Sequence, residues 1–186
     1  MMDKYAMLDN IREHSFIVAR VAETIVEELL IPEENGCRPP NLDLVLAGAL
    51  LHDIAKTKCL DGSCQHAELG MILCSDHDYP EVGRIVGEHV IMSSFDRDGY
   101  LLGNFPAREI VYYADKRVRH NEIVSLDKRL DYIIDKYSRG SEYVKKRIRD
   151  NFALCLEFES YLFSFLPFET GELSQRVNPA PFIETL

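Results

Sequence analysis

The chain has 186 residues, 46% hydrophobic and 28% charged, and 21 lysines and arginines against 31 aspartates and glutamates give a net charge of −10 with the six histidines neutral. This composition excludes a disordered or fibrous protein, and the length suits one domain that buries about two thirds of its unfolded surface. The acidity excludes a protein that chiefly grips nucleic-acid backbone or an anionic membrane, and taken alone it also argues against phosphate substrates.

At the start, Met1-Met2-Asp3-Lys4-Tyr5 shows no basic region leading into an apolar stretch, so no signal peptide is expected. The longest apolar run, residues 44–51, is far short of the roughly 20 residues of a membrane span. The five cysteines, Cys37, Cys59, Cys64, Cys74 and Cys155, form no Cys-x-x-Cys pair. Reduced thiols in a cytoplasmic protein are the expectation, with neither a disulfide framework nor a thiolate zinc site.

Residues 3–30 predict an amphipathic helix, with Leu8, Ile11, Ser15, Val18, Ala22, Ile25 and Leu29 recurring at spacings of three and four. A loop follows from Ile31-Pro32 to Pro39-Pro40. Residues 42–55 are apolar all round, which predicts a central, buried helix. Residues 57–65 read as a polar connector, and two short helices follow over 66–76 and 80–90, the second opened by Pro80. A loop over 93–105 precedes a helix from Pro106 to about residue 119. Ser125 caps a helix over 126–137 that stops at Gly140. The last long helix covers 142–166, and the tail from residue 167 is irregular. No persuasive strand and no repeat is present, so the expected fold is all-α, a single-domain helical bundle.

The histidines carry the chemical information. His14 lies beside the apolar stripe of the first helix, where a hydrogen-bonded core histidine is the ordinary occupant. His52-Asp53 interrupts the most apolar segment of the chain, and a buried ionised carboxylate costs several kcal/mol or more without a charge partner. A shared divalent cation would offset that cost, since imidazole and carboxylate are both good ligands for Zn, Mn, Fe or Ni; a buried His–Asp hydrogen bond is the alternative. Asp115 repeats the anomaly after Ile110-Val111-Tyr112-Tyr113-Ala114, although Lys116 and Arg117 offer it a plain salt bridge. Together His14, His52, Asp53 and Asp115 make a ligand set for one divalent metal with open positions. His66 and His89, near predicted helix ends, suit a second metal sharing Asp53, contacts to phosphate oxygens, or the surface. His77 and His120 have polar surroundings and are expected in solvent.

His14, then His52-Asp53-Ile54-Ala55-Lys56, then Tyr112-Tyr113-Ala114-Asp115-Lys116 resembles the H…HD…D pattern of the HD-domain superfamily of metal-dependent phosphohydrolases, over roughly residues 8–120. The resemblance implies an all-helical fold built around the metal. Within the superfamily the chain is most similar to the compact subgroup containing symmetrical dinucleoside tetraphosphatases, through His66 in His-Ala-Glu-Leu-Gly and His89 in Glu-His. It departs from the alarmone hydrolases, lacking Glu-Asp after the His-Asp helix, and from cyclic-dinucleotide phosphodiesterases, having Tyr79-Pro80 without the preceding glycine. Its segment 116–120 departs from the tetraphosphatases, and residues 125–186 carry no assigned motif.

The expected activity is hydrolysis of a phosphoester or phosphoanhydride of a nucleotide or dinucleotide, with one or two divalent ions (Fe, Mn, Ni, Zn or Co). Asp53 is expected to accept the proton of the attacking water. Lys56, one helical turn beyond His52, and Lys116 are expected to neutralise phosphate. A nucleotide-binding sensor without turnover is the alternative from another class, and a structural bundle with a buried polar network is a third. The partner is a small phosphorylated substrate rather than long nucleic acid or membrane. Lys56, Lys58, Lys116, Arg117 and Arg119 follow directly on the metal motifs and would reverse the overall acidity locally.

Overall fold

The computed structural model describes residues 1–30 and 36–178. Ile31-Pro32 in the expected loop and Pro179 and Pro181 in the tail lie outside the described residues. Among those described, no helix is long and apolar enough to cross a membrane.

Helix α1 (Asp9–Leu30) forms the centre. It begins later than its apolar periodicity suggests because the first residues close into a turn, with Tyr5 N bonded to Met1 O at 3.1 Å and Met7 N to Met2 O at 3.0 Å. Val18, Ala19, Val21, Ala22, Ile25 and Val26 are wholly buried. Helix α2 (Leu42–Leu51) is capped by Asn41, whose Oδ1 accepts from Leu44 N at 2.9 Å. It differs from expectation in two ways. Only Val45, Gly48 and Ala49 are fully buried, and the helix stops at Leu51. Beyond it the chain tightens into turns (Ile54 N to Leu51 O and Lys56 N to Asp53 O, both 2.9 Å). His52 and Asp53 therefore sit at a helix end, and the helical register that linked His52 to Lys56 is lost.

Helices α3 (His66–Ser75) and α4 (Pro80–Glu88) form a close antiparallel pair. Two glycines permit this approach: a Cβ on Gly70 would stand 2.6 Å from Val86 Cγ1, and one on Gly83 would stand 2.9 Å from Met71 O. The expected loop over 93–105 contains a short helix, α5 (Arg97–Leu101), capped by Asp96. Helix α6 (Ala107–Lys116) is buried against α1 and α2. It ends early because the chain turns into a hairpin, β1 (Val118–Arg119) with β2 (Glu122–Ile123), which was not expected. Helices α7 (Leu126–Tyr137) and α8 (Glu142–Phe163) follow, capped by Ser125 and Ser141. Phe158, Leu162, Leu166 and Phe168 belong to the core. The tail is not wholly irregular: a 3₁₀ turn (Thr170–Glu172) leads into α9 (Leu173–Arg176).

The expectation of reduced cysteines fails at one pair: Cys59 and Cys64 form a disulfide. The 57–65 connector folds back through Gly62 at φ +79°, with Asp61 Oδ1 accepting from Ser63 N, and brings the two Cα atoms to 5.1 Å. That is within the bridging range, and a spacing rule built on Cys-x-x-Cys does not detect it. Cys37, Cys74 and Cys155 remain free. Denatured without reductant, the protein should titrate those three thiols, and five after reduction; five without reductant would refute the pairing.

Arg117 is also not where its neighbours in sequence suggest. It turns away from Asp115 into the core, donating from Nε to Val124 O at 2.8 Å, from Nη1 to the Tyr113 hydroxyl and to Glu159 at 3.1 Å, and from Nη2 to Thr170 O at 3.0 Å. It ties α6, the hairpin, α8 and the tail together. Arg117→Met removes a buried guanidinium from the partly buried Glu159 carboxylate and from two carbonyls, and should lower the unfolding free energy by about 2–4 kcal/mol in urea titration.

Candidate metal centre

Each element delivers one or two side chains to the same point. His14 comes from α1, His52 and Asp53 from the end of α2, and Asp115 from α6. His66 opens α3 and His89 follows α4, so the antiparallel pairing of those helices places both at one end. His66 Nε2 and His89 Nε2 are 3.2 Å apart.

Backbone carbonyls fix three of the imidazoles. His14 Nδ1 faces His120 O at 2.9 Å, His52 Nδ1 faces Ala49 O at 2.7 Å, and His89 Nδ1 faces Val86 O at 2.6 Å. A carbonyl only accepts, so in each neutral ring the proton sits on Nδ1 and the Nε2 lone pair points inward. His120 therefore has a part that its exposed ring does not suggest: its main-chain oxygen, at the hairpin tip, aligns His14. Its own φ is +57°, a left-handed conformation uncommon outside glycine, though Asn, Asp and His adopt it more readily than other side chains do.

The donor atoms converge. His14 Nε2 lies 3.1 Å from Asp115 Oδ1, and His52 Nε2 lies 3.4 Å from Asp53 Oδ2 and 3.8 Å from Asp115 Oδ1. Asp53 Oδ1 lies 3.3 Å from His66 Nε2 and 3.5 Å from His89 Nε2. Two triads result, His14–His52–Asp53 and Asp53–His66–His89, each with its donor atoms within 4.8 Å of one another. Ligands held at about 2.0–2.2 Å from one ion stand roughly 3.0–3.6 Å apart, so the spacings suit divalent coordination. His52 Nε2 and Asp53 Oδ1 are fully buried without a hydrogen-bond partner, which is costly in a packed interior. The buried cluster therefore fits a divalent ion.

The charge state of the two carboxylates also suits ligation, while those carboxylates overcome the effect of burial on His52 and raise it. Burial works to raise the Asp53 carboxyl, but His52 and Lys56 overcome it and hold it well below the usual carboxylate range. Burial likewise opposes the Asp115 carboxylate, and Lys116, His14 and Arg129 keep it well below that range. Burial pushes His89 down to about 4, so it is neutral at physiological pH.

The expected cations divide. Lys56 Nζ pairs with Asp53 Oδ2 at 2.6 Å, in an i, i+3 pair rather than on the helical face of His52. Lys116 lines the cavity, but its buried ammonium donates to His89 O at 2.8 Å and lies 4.0 Å from the centre of the Tyr112 ring. Arg117 points away, Lys58 is exposed, and Arg119 pairs with Glu122 at 2.7 Å. The local reversal of charge by those five residues is therefore corrected to Lys56 and Lys116. His77 is half-buried, bonded to Lys4 at 2.7 Å and to Leu73 O, rather than free in solvent.

Above the cluster opens a cavity of about 470 Å³ whose far wall comes from α7 and α8. Arg129, with Nη2 3.5 Å from Asp115 Oδ1, joins it from a segment that carried no motif. The signal available was the spacing of Arg129, Ile133 and Tyr137 along one face of a capped helix.

A divalent ion bound at a hundred times its Kd should stabilise the fold by about 2.7 kcal/mol. Mn or Zn should raise the melting temperature, a chelator should reverse the rise, and Asp53→Asn, common to both triads, should abolish it. An unchanged melting temperature across metals would refute the site.

A family model described as HD domain matches residues 11–140. Comparisons with curated proteins and with solved structures gave no match. The match spans all six convergent side chains and reaches through α7, and the helical fold around a buried His/Asp cluster agrees with it: the chain belongs to the HD-domain family.

Proposed function

We propose that the protein is a phosphohydrolase acting on a small phosphorylated substrate, a nucleotide or dinucleotide, with metal held by these residues. HD domains are in general metal-dependent phosphohydrolases. The observation that supports this reading most is Asp53, shared between two histidine pairs at the floor of an open cavity, with its Oδ1 buried and without a hydrogen-bond partner. His14, His52, Asp53 and Asp115 would hold one ion, and Asp53, His66 and His89 a second. When bound, such an ion lowers the pKa of a coordinated water and polarises a phosphoryl oxygen.

The chain's own groups do the rest. The carbonyl contacts hold three imidazoles in the ligand tautomer and orientation. Asp53 Oδ1 is placed to orient the attacking water, while the low pKa of this carboxyl suits it to hold the proton only briefly. Lys56, partly exposed, pairs with Asp53 Oδ2 and holds that carboxylate in place. Lys116 works through His89, whose carbonyl it holds. The overall acidity disfavours long nucleic acid, which meets the surface as a whole, but not a small molecule that meets the cavity.

Phosphate release from a panel of mono- and dinucleotides, with Fe, Mn, Ni, Zn and Co each supplied, tests the proposal. His52→Ala and Asp53→Ala should each lower turnover by at least about a hundredfold together with metal content. Undiminished turnover in both variants would overturn it, and tight nucleotide binding without hydrolysis would favour a sensor.

A further inference from the structure

The cavity is asymmetric. Its floor is polar, formed by Asp53, His66, His89 and Asp115, whereas its far wall carries Ile133 and Tyr137 of α7 and Ile148 and Phe152 of α8. On α7, Arg129, Ile133 and Tyr137 repeat every four residues and share one face, spanning about 12 Å along the helix axis. The stripe therefore runs from a cation beside Asp115, past an aliphatic side chain, to a half-exposed aromatic ring.

Arg129 is only 8% exposed, and its Nε has no hydrogen-bond partner. Its Nη2 reaches Asp115 only at 3.5 Å, so the guanidinium keeps donors unspent beside the floor. The two lysines there are committed, Lys56 to Asp53 and Lys116 to the His89 carbonyl. Near the floor Arg129 offers donors for one phosphoryl group, while the other arginine lining the cavity, Arg147, stands on α8 in the far wall. The wall beyond suits one flat or apolar body.

We propose, resting on the phosphohydrolase reading, that the Arg129–Ile133–Tyr137 stripe selects a phosphomonoester of about one nucleoside's size, with Arg129 binding the phosphoryl group and Ile133 and Tyr137 holding the organic part. In the reaction the water oxygen bonds to phosphorus and the ester P–O bond breaks. The water proton passes to the leaving oxygen, giving inorganic phosphate and an alcohol.

The metal-loaded protein is assayed with nucleoside 5′-monophosphates, glycerol 2-phosphate and dinucleoside tetraphosphates, and binding of adenosine 5′-monophosphate is measured by calorimetry. Monophosphates should have the highest kcat/KM. Arg129→Met should lower it about a hundredfold and weaken binding, with metal content and melting behaviour retained. Arg129→Lys, which keeps the charge, should recover part of both. Tyr137→Ala should narrow the preference for nucleotides over glycerol 2-phosphate by about tenfold. Better turnover of the tetraphosphates, or Arg129→Met equal to the parent in both turnover and binding, would overturn the proposal while leaving the hydrolase reading standing. If nothing is hydrolysed, the hydrolase reading fails, and the binding difference at Arg129 still decides the role of the stripe.

Discussion

A carboxylate with 1% of its surface exposed sits where three helix ends and two long helices meet. Burying Asp53 in ionised form costs several kcal/mol unless cations or donors surround it, and much of the local structure serves that need. Lys56 takes one oxygen. The other is left facing His66 and His89 without a hydrogen bond, and His52 lies alongside. The close approach of α3 and α4, possible only because Gly70 and Gly83 lack side chains, brings the last two imidazoles within reach. Remove the carboxylate and four elements lose their common point.

Charge at this centre is organised on a different scale from charge over the whole molecule. The surface carries the excess of acid, while the cavity collects Asp53 and Asp115 with Lys56, Lys116, Arg129 and Arg147 in its lining. Cations held so close to the carboxylates mostly act on them, not on a ligand. On the proposed reading the floor would take its positive potential from an ion, with Arg129 supplying a donor beside it. The apolar wall then works by burial, which is indifferent to net charge.

Much of this could be read from residue order. The boundaries of α7 follow from Ser125 and Gly140, and His14, His52, Asp53 and Asp115 stand out because polar groups in apolar helices need a reason, whereas His66 and His89 are marked only by their place near helix ends. Other parts were hidden for physical causes. The apolar run through residues 42–55 hid the end of α2, because composition does not distinguish a continuing helix from i+3 turns. The hairpin at 118–123 is too short for alternation to register. The disulfide depends on a turn at Gly62, and Arg129 is one arginine on an amphipathic helix whose importance lies in what it faces. Arg117 misled in the opposite sense, since adjacency to Asp115 in sequence placed it on the far side of the helix end.

His14 is aligned by a main-chain oxygen at the hairpin tip, not by a side chain. What position 120 must supply to His14 is therefore a left-handed backbone, while its own ring meets Tyr132 edge-on. An Asn or a Gly there meets the requirement as well as histidine does, whereas a β-branched residue resists that conformation. Relatives could exchange this residue freely among a few types while the imidazole 106 positions away stays in place. Part of the specification of this candidate metal centre is thus written in torsion angles, and it leaves no fixed letter in the sequence.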